Sequence, residues 1–187
     1  VYSYPHIGNA RGPVIFDVLA RLLRREFDLT YIRNITDLDD KIYQAADEEG
    51  VHISEVTQRY TKIYQEDMTA LGVEKPDLEP LATEHIPEMI EMIQVLIDKK
   101  HAYESQGHVF FSVETFDDYG FLSNRTEEEQ ISGTRIKSSE IKNNQRDFVL
   151  WKPSTGETPG WDSPWGFGRP GWHLSLIHIS EPTRRYR

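Results

Sequence analysis

The sequence predicts an α/β fold. Three observations carry that expectation. β-prone segments alternate with segments of helical period. A Pro-broken stretch enters a glycine-bearing turn at the head of the first helix. The 37% hydrophobic content suffices for a core, which argues against a disordered chain.

Residues 1–5 read as the end of a strand, broken by Pro5. A helix follows from Asn9 to Phe27, with Phe16, Leu19, Leu23 and Phe27 on one stripe and Arg21, Arg24 and Arg25 turned to solvent. Pro13 lies near its start, where proline is tolerated. Leu29-Thr30-Tyr31-Ile32 reads as the next strand. Strand, helix and strand in this order predict a right-handed βαβ unit with a parallel sheet.

His6-Ile7-Gly8-Asn9 fills the turn. The first N–H groups of a helix lack internal partners, and the helix dipole adds positive charge there. That is a phosphate site. Gly8 lets a nucleotide approach the backbone, while His6 and Asn9 offer hydrogen bonds to phosphate oxygens. By themselves these residues also fit an ordinary strand–turn–helix junction with Asn9 as N-cap.

Asn34 to Lys41 leaves the carboxyl end of the second strand, the edge where open α/β sheets bind ligands. Thr36 or Asp37 would cap the helix that follows. Asp37, Asp39 and Asp40 fit a divalent-cation site or a capped, acidic first helical turn; the absence of a glycine-bearing calcium loop favours the cap. Two further helices are expected. One spans Ile53–Leu71, capped near Ser54, with Val56, Tyr60, Ile63, Tyr64, Met68 and Leu71 facing the core. The other spans Thr83–His101, with Ile86, Ile90, Ile93 and Ile97 on one face and His101 at its cap or surface. Residues 108–113 and 148–151 read as strands, with a polar stretch between them in which Glu127–Glu129 form a solvated face. The Pro-, Gly- and Trp-rich stretch 152–172 reads as an ordered loop pinned by aromatic side chains.

The formal net charge of −10 argues against non-specific nucleic-acid binding through a broad basic face. The absence of cysteine excludes disulfides and thiolate metal sites within this chain. No apolar run is long enough to span a membrane, and no signal peptide opens the chain. Val1 rather than Met stands first, so an absent or processed N-terminus is expected. Leu174–Arg184 reads LSLIHISEPTR, which resembles an in-frame translation of a transposon-end sequencing adapter; an ordinary basic tail is the alternative. Residues 174–187 are therefore set aside.

VYSYPHIGNAR resembles the His-Ile-Gly-His signature of class I aminoacyl-tRNA synthetases. YIRNITDLDDKI, PDLEPLATEHIPEMIEMI, HAY, DFVLWKP and WDSPWGFGRPGWH are similar, in order, to motifs of the cysteinyl-tRNA synthetases. The resemblance covers residues 1–173. It implies residues 1–98 as the first half of a Rossmann-like nucleotide domain, 99–165 as a connective insertion and 166–173 as the return. It also implies a cytoplasmic two-step ligase, with ATP, Mg²⁺, cysteine and cysteine tRNA as substrates and partners and no membrane. His6, Gly8 and Asn9 would bind ATP, with His6 and Asn9 catalytic; Asn9 stands where the signature has its second His. Thr36 and Trp172 would line the cysteine pocket.

Zn²⁺, which such enzymes use to hold the substrate thiolate, has no ligands here: the family cysteines fall before Val1 and at the position of Leu176. The second signature loop and the anticodon-binding part are also missing, so the chain alone is expected to be inactive. Two other readings fit the same residues. One is the related ligase joining cysteine to an amino sugar in mycothiol synthesis. The other is a non-catalytic binding paralogue.

Overall fold

The computed structural model describes residues 2–120, 141–155 and 158–171. Within these, the described residues of Val1–His85 form one unit and those of Ile86–Ser175 another. The division falls earlier than the sequence-based edge at residue 98, because the helix after His85 packs on the strand that follows it.

In the first unit, helix α1 runs Ile7–Leu23, α2 Asp40–Glu49 and α3 Ile53–Ala70. All three open on a side-chain cap, and the structure decides which residue supplies it. His6 caps α1 in place of Asn9, Asp39 caps α2 in place of Thr36 or Asp37, and His52 caps α3 beside Ser54. A histidine serves because its unprotonated Nδ1 accepts an N–H two residues on. Gly50, at φ 64, closes α2 in the left-handed region that suits glycine.

The expected strand at 29–32 and its parallel sheet do not form among the described residues: the one sheet there is antiparallel, and this part of the chain makes only isolated parallel bridges. Residues 2–5 are not a strand; Tyr4 packs edge-on against Tyr60, and Tyr2 lies beside Lys41. The parallel pairing instead joins residues 31–35 to 77–82, through Ile32 to Leu78 and Ile35 to Leu81. Its crossover is α2 and α3 rather than α1. Arg33 N–H donates to Leu78 O and Ile35 N–H to Pro80 O, at 3.0 Å each. Ile42, Ala46 and Val56 make one buried cluster; Ala10, Met68 and Val73 make another.

The stripe of α1 expected to face the core does not. Ala10, Asp17 and Ala20 are its buried positions, while Phe16, Leu19 and Phe27 are exposed and Leu23 is half-buried. Polar anchors hold that buried side. Asp17 accepts from Arg21 Nε at 2.8 Å and from the Glu74 N–H at 3.0 Å, and Arg24 pairs with Glu74 and Asp77.

The second unit begins with α4, Ile86–Asp98, preceded by a short 3-10 turn at Ala82–His85. Its buried side is Ile86, Met89 and Ile93. Lys100, at φ 63, ends it, and His101 N–H returns to Leu96 O at 2.8 Å. A four-stranded antiparallel sheet follows in sequence order: β1 Ala102–Ser105, β2 His108–Phe111, β3 Phe148–Pro153 and β4 Gly168–Pro170. β2 and β3 match the expected strands closely. β1, absent from the expected strands, follows directly on the His101 end of the α4 reading, and β4 lies inside the expected loop. That loop is nonetheless ordered by aromatics, since Trp165 meets Trp151 edge-on and Trp161 pairs with Gly168. A Cβ on Gly168 would collide with the Lys152 carbonyl and the Trp151 indole. The expected solvated face at Glu127–Glu129 and the residues from 172 on lie outside the described residues.

Candidate functional site

The turn from Pro5 into α1 is a closed hydrogen-bonded box. His6 is extended (φ −116, ψ 173), and its Nδ1 accepts the Gly8 N–H at 3.0 Å. Its own N–H donates to Asn9 Oδ1 at 3.0 Å, and its carbonyl accepts the Asn9 N–H at 2.8 Å. These bonds fix two chemical details. An accepting Nδ1 places the ring proton of a neutral His6 on Nε2. An accepting Oδ1 leaves the Asn9 amide as a donor.

This narrows the expectation of open backbone N–H groups. The Gly8 and Asn9 N–H groups are already bonded, which leaves the side-chain donors His6 Nε2 and Asn9 Nδ2 beside the Ile7 N–H. The space at Gly8 is also taken. A Cβ there would lie 2.7 Å from His6 Cε1, so glycine is required for the ring to fold over it.

The electrostatics suit an anion. α1 has no acidic residue in its first turn, whereas α2, α3 and α4 carry Asp40, Glu55 and Glu88 there. Carboxylates are favourable at helix starts, so α1 has forgone that stabilisation. Arg11 sits exposed on the same turn with no ion pair among the described residues. Sequence reasoning missed Arg11; its position in the first helical turns next to the box was the signal available.

Thr36 is placed separately, at the carboxyl end of the 31–35 segment. It is half-buried, and its Oγ1 accepts from Asn34 Nδ2 at 3.0 Å. Of the three neighbouring acids, Asp39 caps α2 through the Lys41 N–H, and Asp37 is buried against Thr83. No group of three or more His, Asp or Glu residues positioned for a metal occurs among the described residues. Trp172 lies outside the described residues.

Between the entry segment and α2 and α3 lies a surface cavity of about 480 Å³, lined by Tyr2, Lys41, Gln44, Ala45, Glu48, Glu49 and Tyr60. Lys41 Nζ donates to Tyr2 Oη at 3.1 Å and lies 5.2 Å from its ring centre. These contacts hold the chain leading into His6.

The model of the tRNA synthetase class I (C) catalytic domain matches residues 1–182. The chain belongs to that family. Relatives agree along nearly its whole length. It is 59% identical over 175 residues to the cysteine–tRNA ligase of Xanthomonas oryzae, covering 93% of this chain and 37% of that one. It is 58% identical over 187 residues to the cysteine–tRNA ligase of Xylella fastidiosa, covering 97% and 40%. The Parvibaculum lavamentivorans ligase is 58% identical over 182 residues, covering 97% and 39%. This class I synthetase chain therefore spans about two fifths of the length of the curated relatives it matches. No helix among its described residues is long and apolar enough to cross a membrane.

Proposed function

We propose that this chain is the ATP-binding part of a cysteine–tRNA ligase and supplies a share of its cysteine pocket. The observation that carries the reading is the His-capped start of α1, free of first-turn acid and bearing two outward donors. In the complete enzyme the cysteine carboxylate attacks the α-phosphate of ATP, forming cysteinyl-adenylate and releasing pyrophosphate. The acyl group then passes to the terminal ribose of cysteine tRNA. His6 Nε2 and Asn9 Nδ2 would donate to phosphate oxygens as charge develops on them, acting by position and charge rather than covalently. Thr36 and Trp172 would line the amino-acid pocket.

Mg²⁺ accompanies ATP as the nucleotide's counter-ion, and no residue here is assigned to it. Zinc does not fit this chain, which has no cysteine, and no step is drawn through it. Residues 1–98 and 166–173 would belong to the nucleotide domain, 99–165 to the connective insertion and 174–187 to foreign sequence. Cytoplasmic location and the absence of membrane attachment follow from the same reading. The names of the relatives favour the tRNA ligase over the mycothiol-type enzyme and over a non-catalytic paralogue.

Two measurements test this. The 187-residue chain is expected to show no cysteine-dependent ATP–pyrophosphate exchange; a signal would overturn its assignment as an incomplete catalytic unit. With residues 2–171 grafted into the Xylella fastidiosa ligase, His6→Ala is expected to lower kcat about 10²-fold, the scale of losing one charge-stabilising donor. Activity within twofold of the unmutated graft would remove His6 from the site. Charging of cysteine tRNA, against amide formation on an amino sugar, separates the two ligases.

A further inference from the structure

We propose that Asp37 and Thr83 form a clamp that positions Thr36, so that the 82–85 turn contributes to cysteine recognition without touching cysteine. The inference rests on the reading of Thr36 as a pocket residue.

Ile35 and Asp37 are buried on either side of the half-buried Thr36, an alternation like that along a strand. The residue before is fixed by the parallel pairing: Ile35 N–H donates to Pro80 O at 3.0 Å, and Ala82 N–H donates to Ile35 O at 3.4 Å. The residue after is fixed by its side chain. Asp37 Oδ1 accepts the Thr83 N–H at 3.1 Å, and Oδ2 accepts the Thr83 hydroxyl at 2.5 Å. Both carboxylate oxygens are thus engaged by one residue forty-six positions away in sequence. Asn34 holds the Thr36 hydroxyl from the other side.

A cap for α2 does not account for this arrangement, because Asp39 already provides it. A buried carboxylate needs its donors, and charged hydrogen bonds are short and directional. Asp37 therefore sets where the Thr36–Asp37 peptide lies. A displacement on the order of 1 Å in a substrate-holding group is enough to cost activity. Asp37 and Thr83 are positioning residues, and Thr36 is the one that would meet substrate.

The test uses Thr83→Val and Thr83→Ser in the grafted Xylella fastidiosa ligase, read by cysteine-dependent ATP–pyrophosphate exchange. Thr83→Val removes the hydroxyl donor and keeps the N–H; Thr83→Ser keeps both. Thr83→Val is expected to raise KM for cysteine about 10-fold, the loss of one charge-assisted hydrogen bond. KM for ATP should stay within twofold, and Thr83→Ser should restore the cysteine value. Thr36→Val should raise KM for cysteine, and adding Thr83→Val to it should cost little more, because the two act through one contact.

Equal movement of both KM values, or no rescue by Ser, overturns the clamp. If Thr36→Val leaves KM for cysteine unchanged, the pocket reading itself fails. If Thr36→Val raises it and Thr83→Val does not, only the clamp fails. Should the graft not turn over, amide exchange on the 187-residue chain decides. Thr83→Val is expected to speed exchange at residues 36–38 over that at 42–46, and an unchanged ratio overturns the proposal.

Discussion

The two units of this chain hold themselves together in different ways. In 86–171 the sheet buries its own large side chains: Trp151 and Phe110 are both fully enclosed. Asp147, also buried, accepts from Tyr103 Oη at 2.7 Å and from the N–H groups of Val113 and Asn144 at 3.0 and 3.1 Å. In 2–85 two buried clusters hold three residues each, and α1 is held by ion pairs along a side made of Ala10, Asp17 and Ala20. Its apolar side chains face outward: Ile7 is 83% exposed, Val18 64% and Ile15 59%. A helix apolar on most sides belongs in the middle of a larger body. The second unit encloses its own large side chains, while the first leaves the apolar side chains of α1 in water.

The contrast breaks first at Trp151. Trp151→Ala is expected to cost about 3–5 kcal/mol in the second unit, the range for an emptied aromatic core site. Near-ultraviolet circular dichroism of 86–171 should collapse while the helical signal from α1–α3 persists. Joint loss of both would show that the units do not stand apart.

Asp147→Ala comes next. It strips the acceptor from Tyr103 and two backbone N–H groups, with an expected cost of about 1–3 kcal/mol by chemical denaturation.

pH sharpens the comparison from both ends. Burial, with the hydrogen bond to Asp147, pushes the Tyr103 hydroxyl up to about 12, above its unfolded value near 10. The protonated form is favoured in the fold, so that stability is complete below about pH 10 and is lost as pH rises towards 12. Tyr103→Phe should flatten that decline.

In the first unit the signs reverse. Burial raises Asp17, but the Glu74 N–H and Arg21 outweigh it and hold the carboxyl below its usual value. Asp77 is lowered by the Tyr31 N–H and Arg24. Their contribution is present above about pH 4 and is lost as pH falls through the lowered values. Residue-resolved exchange should therefore show 86–171 opening first in alkali and 2–85 first in acid.

His6→Ala removes the cap of α1 and should cost about 1 kcal/mol, read as faster exchange in the first turn of that helix. Val18→Ser is the smallest effect, within about 0.5 kcal/mol, because the side chain is already in water. A large loss of stability on chemical denaturation would show that α1 is covered.

Local chemistry was legible in the sequence. The His6–Asn9 turn, the four α-helices, the strands at 108 and 148 and the family motifs all depend on residues a few positions apart, where spacing itself dictates caps and periodicity. The phosphate reading of the turn was half legible. The helix start was evident, but the use of its N–H groups by His6 and Asn9 depends on how the ring folds over Gly8. Only the tertiary structure decided that 31–35 pairs with 77–82, that β1 and β4 complete the sheet, that Asp37 seizes Thr83 and that α1 turns its alanines inward. Each joins distant segments, and each is chosen by which surfaces bury together and which polar groups find partners. Composition and periodicity leave those choices open, because an apolar stripe records that a helix has something to bury and not what will cover it.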